Sequence, residues 1–196
     1  SCYFCKTHEE QSCQNFNTAQ VLSGQPYPGT GGFSEYMMAV PYSVFPYTNV
    51  TPQEACICEP VSCVIHSVET VNPQFGDACV IIGAGIMGLL HTQLCVKKGC
   101  FVIVVDMNEE RLEMAASMGA HYTINPHKEH AEKRIMKITH GRKARAVFDT
   151  TPAASVVEEA CRYVGNMGKL MIYSGIYPNK PVQMDAHWIH KGSIQI

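Results

Sequence analysis

The chain of 196 residues carries little charge, a single tryptophan and no long apolar run. Charged residues make up 16% of the sequence and the net charge is −2. The composition therefore favours neither a nucleic acid nor an anionic membrane as a partner. No run approaches the roughly eighteen apolar residues of a membrane-spanning helix, and no signal-peptide pattern follows Ser1. We expect an ordinary globular protein that does not bind nucleic acid and does not enter a membrane.

Three glycines, which lack a side chain, mark the most informative segment. Gly83, Gly85 and Gly88 have the spacing GxGxxG and follow a short apolar run. In a nucleotide-binding turn the first glycine allows a tight bend, and the second lets a pyrophosphate approach the backbone. The third lets the following helix pack closely on the strand. The helix begins near Ile86 and Met87, where unpaired N–H groups and the positive end of the helix dipole favour phosphate.

An acidic residue completes this pattern. Residues 101–105 form a second apolar run after the helix, and an aspartate follows it directly. A carboxylate at this strand end can accept hydrogen bonds from the ribose of an adenine dinucleotide. The alternative is a glycine turn between any strand and helix, but the two strands, turn, helix and acid all agree on a nucleotide site. The predicted cofactor-binding residues of this segment are Gly83, Gly85, Ile86, Met87, Gly88 and Asp106.

Strands and helices alternate through the rest of the chain. Apolar runs at 121–124, 144–149 and 169–173 predict further strands, separated by helical segments. This alternation predicts an α/β fold, a doubly wound parallel Rossmann sheet with helices on both faces. Ligands of such sheets bind at the carboxyl ends of the strands. Residues 193–196 predict the start of a sixth strand.

Cysteine is abundant, with ten in the chain. Free cysteine packs as a small hydrophobic residue, and a doubly wound nucleotide fold is not a disulfide scaffold. We therefore expect reduced, buried thiols and a reducing, cytoplasmic location. The seven cysteines that lie in apolar segments are Cys56, Cys58, Cys63, Cys79, Cys95, Cys100 and Cys161.

Three more stretches carry a family resemblance. Cys2, Cys5 and Cys13 match in spacing the last three thiolates of a structural-zinc lobe. Residues 31–36 read GGFSEY, and an E-P-V-x4-H-S segment begins at Glu59. With the glycine motif, they make the chain resemble the zinc-containing medium-chain dehydrogenase/reductase family, in its sorbitol, xylitol and threonine dehydrogenase branch. The resemblance covers essentially the whole chain.

The resemblance implies two domains. Residues 1–60 would be part of a GroES-like, mostly β catalytic domain with a structural-zinc lobe. Residues 61–196 would be the NAD-binding Rossmann domain, truncated at its last strand. The family's upstream catalytic-zinc ligands and first structural-zinc cysteine are not in the sequence. We therefore expect an internal fragment of a longer dehydrogenase, inactive by itself, whose full-length form is a homo-oligomer.

The resemblance also implies metal-ligand roles. Cys2, Cys5 and Cys13 would hold structural zinc, and Glu59 would ligate the catalytic zinc or hold its water. The alternative for Glu59 is an acid at a helix N-terminus, which the helix dipole favours. Pro60 is expected to hold the preceding residue in an extended conformation.

Three residues bear on the cofactor. In the family an arginine at the position of Arg111 lies around the adenosine. Thr151 stands where the family has a small residue beside the nicotinamide, and it would either narrow that approach or donate a hydrogen bond. The carboxylate of Asp106 would repel the extra phosphate of NADP by about 4 kcal/mol at about 4 Å and an effective dielectric near 20. The expected cofactor is therefore NAD.

The implied function is a zinc-dependent, NAD-linked oxidation of a secondary alcohol, a polyol or sugar alcohol, to a ketone by hydride transfer. One alternative is a zinc-free, NADPH-linked quinone or enone reductase of the same superfamily. Its members generally lack the zinc-lobe cysteines, so the cysteines and Asp106 disfavour it. The other alternative is a catalytically inactive fragment that only binds a dinucleotide.

Overall fold

A computed structural model describes residues 2–14, 35–36 and 44–196 of the chain. The chain divides into two compact units, Ser1–Val50 and Thr51–Ile196. Nearly half of the predicted GroES-like part falls at 15–34 and 37–43, outside the described residues. The predicted domain boundary at residue 60 stays a prediction.

The first unit holds a short helix and a turn of 3-10 helix. Helix α1 spans Tyr3–Lys6, with Cys2 as its N-cap, and the 3-10 turn spans Glu10–Ser12. Together they bring the three cysteines of this unit into one small loop.

The second unit is an α/β fold of alternating strands and helices. Its helices in chain order are α2 (Pro52–Ala55), α3 (Cys58–Val71), α4 (Ile86–Lys97), α5 (Glu109–Ser117), α6 (Ala131–Ile138), α7 (Ala154–Ala160) and α8 (Ala186–Gly192). Its strands are β1 (Ala78–Ile82), β2 (Phe101–Val105), β3 (Tyr122–Ile124), β4 (Ala144–Asp149) and β5 (Val164–Ile172). A 3-10 turn at Cys161–Tyr163 joins α7 to β5.

The five strands form one parallel sheet in the order β3-β2-β1-β4-β5. Consecutive strands run outward from β1 in one direction, and then the chain crosses to β4 on its other side. Ile82 pairs with both Val105 and Asp149, so three strands end at the same level. Their loops therefore meet at one edge, where open parallel sheets bind ligands. The predicted doubly wound Rossmann sheet is confirmed.

The core has one layer on each face of the sheet, because successive strand side chains point to opposite faces. Val80 and Ile82 pack in the layer covered by α6 and α7. Cys79 and Ile81 pack in the layer covered by α3, α4 and α5. All four are buried, and burying one such side chain contributes about 1.5–3 kcal/mol. This double burial explains why the strands read as continuous apolar runs.

The structure corrects two predicted element boundaries. Strand β5 begins at Val164, five residues before the predicted start at 169. The predicted sixth strand at 193–196 is present as a single parallel bridge between Lys169 and Gln195. Across the described ranges, no helix has the length and apolar content needed to span a bilayer.

Candidate functional site

The glycine turn lies at the carboxyl edge of the sheet, after β1. Gly83 has a φ of +91°, which residues with a side chain rarely adopt. Its N–H donates to the carbonyl oxygen of Val105 at 2.8 Å, and this bond ties the turn to the end of β2. The predicted tight bend is therefore confirmed, and it needs glycine.

Of the other two glycines, Gly88 lets α4 lie close to the turn, and Gly85 leaves one side of the turn open. A Cβ added at Gly88 would lie 1.8 Å from the carbonyl oxygen of Gly83, so only glycine lets α4 come so near. A Cβ added at Gly85 would meet nothing within 4 Å. Among the described residues, no side chain caps the start of α4, so its first N–H groups face this open side. This arrangement fits a pyrophosphate group.

Asp106 follows β2 and is bonded to the glycine turn. The N–H of Ala84 donates to its Oδ2 at 2.6 Å, and the N–H of Asn108 donates to its Oδ1 at 2.8 Å. Each carboxylate oxygen has more than one acceptor position, so ribose hydroxyls can bind in addition. The predicted contact of Asp106 with ribose stays a prediction, and its bond to the turn was not predicted.

Arg111 lies one turn into α5, near the same edge. Its N–H donates to Asn108 Oδ1 at 3.0 Å, and this bond caps the helix. The side chain of Arg111 is exposed. The side chain of Arg111 is therefore accessible to an adenosine, and its predicted role there stays a prediction.

Thr151 lies beside the glycine turn, at the end of β4. Its N–H and its hydroxyl both donate to Asp149 Oδ1, at 2.9 Å and 2.8 Å. Its methyl group lies 3.1 Å from the position of a Cβ built on Gly83. The two predicted possibilities were a hydrogen bond to the cofactor and a narrowed approach. The Thr151 hydroxyl is already bonded to Asp149, whereas its methyl group narrows the space next to the turn.

Asp149 is a site residue that the sequence did not single out. It is fully buried, and burial raises the pKa of its carboxyl above the usual range despite the bonds from Thr151. Its Oδ2 is buried without a hydrogen-bond partner among the described residues. Its position at the carboxyl end of a central strand was the one available signal.

Ile86 and Met87 begin α4 and point in different directions. Ile86 is 70% exposed, whereas Met87 is half-buried and its Sδ accepts a hydrogen bond from the hydroxyl of Tyr173 at 3.5 Å. Tyr173 follows β5, so this bond joins the glycine turn to the other half of the sheet. Both residues lie at the predicted site, and their contact with a cofactor stays a prediction.

Glu59 lies in the first turn of α3, so the expectation that Pro60 holds it extended is wrong. The helix begins at Cys58, which puts Pro60 in the first turn. The first N–H groups of a helix have no intrahelical partner, so proline is tolerated there. Glu59 is exposed, and the thiol of Cys63 donates to its Oε1 at 3.5 Å.

A metal role for Glu59 stays a prediction. In the part of the chain that the structure describes, Glu59 is not in a group of three or more side chains placed to share a metal ion. The observed position, an acid in the first turn of a helix, is that of the alternative explanation.

Cys2, Cys5 and Cys13 form a compact group of sulfurs. Their Sγ atoms all lie within 4.8 Å of one another, and those of Cys2 and Cys5 are 3.8 Å apart. Hydrogen bonds from the backbone at Cys5 and Gln14 lower the pKa of Cys2 to about 6. Thiolate is the form that binds zinc, and the donor set suits zinc, which structural sites hold with four ligands. The three cysteines fit the predicted role as structural-zinc ligands, and a fourth ligand is needed to complete such a site.

The expectation that seven further cysteines are buried is correct only for Cys79, Cys95 and Cys100. Cys161 is half-buried. Cys56, Cys58 and Cys63 are exposed, because they lie on α3 and the segment before it, on the side away from the sheet. No disulfide joins any of the ten cysteines, all of which lie in the described ranges.

A cavity of about 1100 Å³ opens at the opposite, amino edge of the sheet. Its lining includes Arg142, Lys143 and Arg145. Lys143 is paired with Glu132 at 2.9 Å. Ligands of parallel sheets bind at the carboxyl edge, and the glycine turn lies there. We therefore place the candidate site at the carboxyl edge despite the size of this cavity.

The sheet order, the glycine turn and the acid after β2 define a Rossmann-type α/β protein. The chain belongs to the zinc-binding dehydrogenase family, whose family model matches residues 87–196. This family implies zinc and a nicotinamide dinucleotide as cofactors.

Comparison with known proteins supports the same class. The chain is 30% identical over 182 residues to D-arabinitol dehydrogenase 1 of Uromyces fabae, which covers 91% of this chain and 50% of that protein. It is 31% identical over 183 residues to L-threonine 3-dehydrogenase of Pyrococcus furiosus, with coverage of 91% and 50%. The chain thus spans about half the length of the curated relatives it matches.

One solved structure shows the same fold over the whole chain. The alcohol dehydrogenase TADH of Thermus sp. ATN1 has a TM-score of 0.84 and 21% identity, with 100% of this chain and 57% of that chain covered. At this identity the likeness establishes the fold alone.

Proposed function

We propose that this chain is the dinucleotide-binding part of an NAD-linked, zinc-dependent dehydrogenase that oxidises a secondary alcohol group of a polyol. The observation that carries the proposal is the bond between Ala84 N–H and Asp106 Oδ2, 2.6 Å long. It places an acid directly against a turn that is open to phosphate. The absence of any disulfide among the ten cysteines, all of which lie in the described ranges, is also consistent with a reducing compartment.

Each residue of the site has a defined task in this proposal. The N–H groups after Gly85 bind the pyrophosphate, and Asp106 accepts hydrogen bonds from the adenosine ribose. Thr151 and Met87 border the space for the rest of the cofactor, next to the glycine turn. When bound, the dinucleotide accepts a hydride and zinc acts as a Lewis acid toward the alcohol. The residues of this chain bind and orient the groups that react.

Charge supports NAD over NADP. The carboxylate of Asp106 is fixed by two N–H donors, from Ala84 and Asn108. It therefore cannot turn away from a phosphate on the neighbouring ribose. Repulsion of about 4 kcal/mol at about 4 Å, even reduced to a third, disfavours NADP by roughly tenfold.

Relatives support an alcohol as the substrate class. D-arabinitol dehydrogenase 1 acts, by its name, on a sugar alcohol, and L-threonine 3-dehydrogenase acts on a secondary alcohol group. We propose a polyol, the substrate class of the arabinitol enzyme, which is 30% identical across 91% of the chain. Threonine, whose dehydrogenase matches equally well, is the substrate to test against it.

Isothermal titration of this chain with NAD⁺ and NADP⁺ tests the cofactor. We expect NAD⁺ to bind at least about tenfold more tightly. Asp106→Asn keeps an acceptor for Ala84 N–H but removes the charge, so it should abolish the preference. Asp185→Asn, a matched change at the exposed N-cap of α8, should leave the preference intact. Equal or tighter binding of NADP⁺ by the unmodified chain would refute the NAD assignment.

An activity assay tests the reaction. The full-length protein that contains this chain should form NADH from a sugar alcohol, and it should lose that activity when a chelator removes zinc. Full activity without zinc would end the zinc proposal. Nucleotide binding without turnover of any alcohol would instead favour the second candidate, a binding-only protein, in keeping with the isolated position of Glu59 among the described residues.

A further inference from the structure

His91 is a fully buried histidine on α4, one turn after Met87. Its Nδ1 lies 2.7 Å from the carbonyl oxygen of Met87, and its Nε2 lies 3.0 Å from the hydroxyl of Ser67. Nothing in the proposed function uses it. A histidine in this layer needs explanation, because an apolar side chain could fill the same volume without a polar group to satisfy.

The two hydrogen-bond partners of His91 determine which ring nitrogen carries the proton. A carbonyl oxygen only accepts hydrogen bonds, so Nδ1 carries the proton that it donates to Met87. Burial lowers the pKa of His91 to about 4, so the ring is neutral at pH 7. Nε2 therefore has no proton, and it accepts the hydroxyl hydrogen of Ser67. Both nitrogens are satisfied in only this tautomer.

The ring also contacts the residue that holds the side chain of Met87. Tyr173 packs its ring edge-on to His91 at a centroid distance of 4.7 Å, and Phe148 lies at 5.0 Å on another side. The hydroxyl of Tyr173 donates to Met87 Sδ at 3.5 Å. Met87 is thus held at its backbone carbonyl by His91 and at its sulfur by Tyr173.

We propose that His91 is a positioning residue for the nucleotide site, which fixes the first turn of α4, and with it Met87, in the conformation that receives the dinucleotide. The start of α4 lacks a side-chain cap among the described residues, so its conformation depends on such packing. Ser67 lies on α3, the helix that carries Glu59. The hydrogen bond from Ser67 therefore links that helix to His91 on α4 and, through the bond of His91 with Met87, to the first turn of α4. The effect on binding rests on the proposed function, whereas the effect on the turn does not.

Amide hydrogen exchange of this chain without ligand tests the positioning itself. Ser67→Ala removes the donor to Nε2, and we expect exchange at residues 84–90 to become at least about fivefold faster, as loss of one buried hydrogen bond predicts. Thr139→Val is the matched control, because Thr139 is also buried and its hydroxyl also donates a hydrogen bond, to the backbone carbonyl oxygen of Ile135, but it is the C-cap of α6. The same hydroxyl accepts from the N–H of Lys143 at 2.9 Å. Thr139→Val should leave exchange at 84–90 unchanged. Equal acceleration by both variants, or by neither, would overturn the proposal.

Titration with NAD⁺ tests the functional consequence. We expect Ser67→Ala to raise the Kd for NAD⁺ by about fivefold. His91→Phe should raise it further, and His91→Gln, whose amide can both donate and accept, should restore part of the loss. If the unmodified chain binds no NAD⁺ while Ser67→Ala still loosens residues 84–90, the proposed function fails and the positioning role stands. If NAD⁺ binds equally to all four proteins, the role in binding is refuted.

Discussion

Two groups of three cysteines in this chain behave in opposite ways. Cys2, Cys5 and Cys13, here called the lobe thiols, are partly exposed and lie within 4.8 Å of one another. Cys79, Cys95 and Cys100, here called the core thiols, are buried between the sheet and its helices. The residue type is the same in both groups, so the difference is one of surroundings.

Hydrogen-bond donors and burial act on the thiol in opposite directions. Backbone hydrogen bonds from Cys5 and Gln14 stabilise the thiolate of Cys2 and bring its pKa to about 6. At the core position, hydrogen bonds of the Cys79 thiol with Cys100 and Cys95, together with burial, raise its pKa above the ordinary value. The lobe thiols are therefore suited to bind metal and the core thiols to pack as hydrophobic groups.

Alkylation should show the largest difference between the groups. At pH 7 iodoacetamide should modify Cys2 at least about a thousandfold faster than Cys79, because Cys79 reacts only after the domain opens. The rate at Cys2 should rise with pH and reach half its maximum near pH 6. Mass spectrometry of quenched samples measures both rates. Comparable rates at the two positions in native conditions would show that the comparison is wrong.

The features that could be predicted from the sequence are local ones. Gly83, Gly85, Gly88 and Asp106 lie within one strand–turn–helix–strand unit, so their spacing determined their geometry. The buried strands were equally predictable, because two-sided burial demands continuous apolar runs.

The features that could not be predicted depend on which face of an element meets the core. Cys58 and Cys63 stand among apolar residues, yet α3 turns them to the outside. His91 lies in an apolar helical segment, and only tertiary packing supplies Ser67 and Tyr173 as its neighbours. Glu59 was expected to be extended before Pro60, but it is helical because α3 already begins at Cys58.

The rule that burial suppresses charge extends to His91, which lies in the same layer as the core thiols. Its folded pKa of about 4 is below the ordinary value of 6.5. The stability it contributes is therefore present above pH 6.5 and lost as the pH falls toward 4, by about 3 kcal/mol in all. Urea denaturation at several pH values measures the loss. His91→Gln should lack that part of the decline, and a parallel decline in both proteins would contradict the rule.

The affinity for zinc should depend on the lobe thiols by about a hundredfold. The lobe thiols should bind added Zn²⁺, and Cys13→Ser should weaken binding by about that factor because it removes one of three close sulfurs. Competition with a chromogenic chelator measures the affinity. Cys58→Ser, an exposed cysteine outside the group, is the control and should have no effect. Loss of zinc in the control alone would place the metal at α3 instead.

Serine substitution should give the smallest effect of the four. Here the core thiols should be the more sensitive group, the reverse of zinc binding. Cys79→Ser puts a hydroxyl where the neighbours are thiols and apolar groups, so we expect the free energy of unfolding to fall by about 1–3 kcal/mol. Cys5→Ser changes a partly exposed residue of the first unit, so it should alter the unfolding of the second unit by less than about 0.5 kcal/mol. Cys79→Ala separates the two contributions, because it removes the sulfur without adding a polar group. If Cys79→Ser is no worse than Cys79→Ala, then the core thiol matters only for its volume, and the contrast with the lobe thiols is one of exposure rather than polarity.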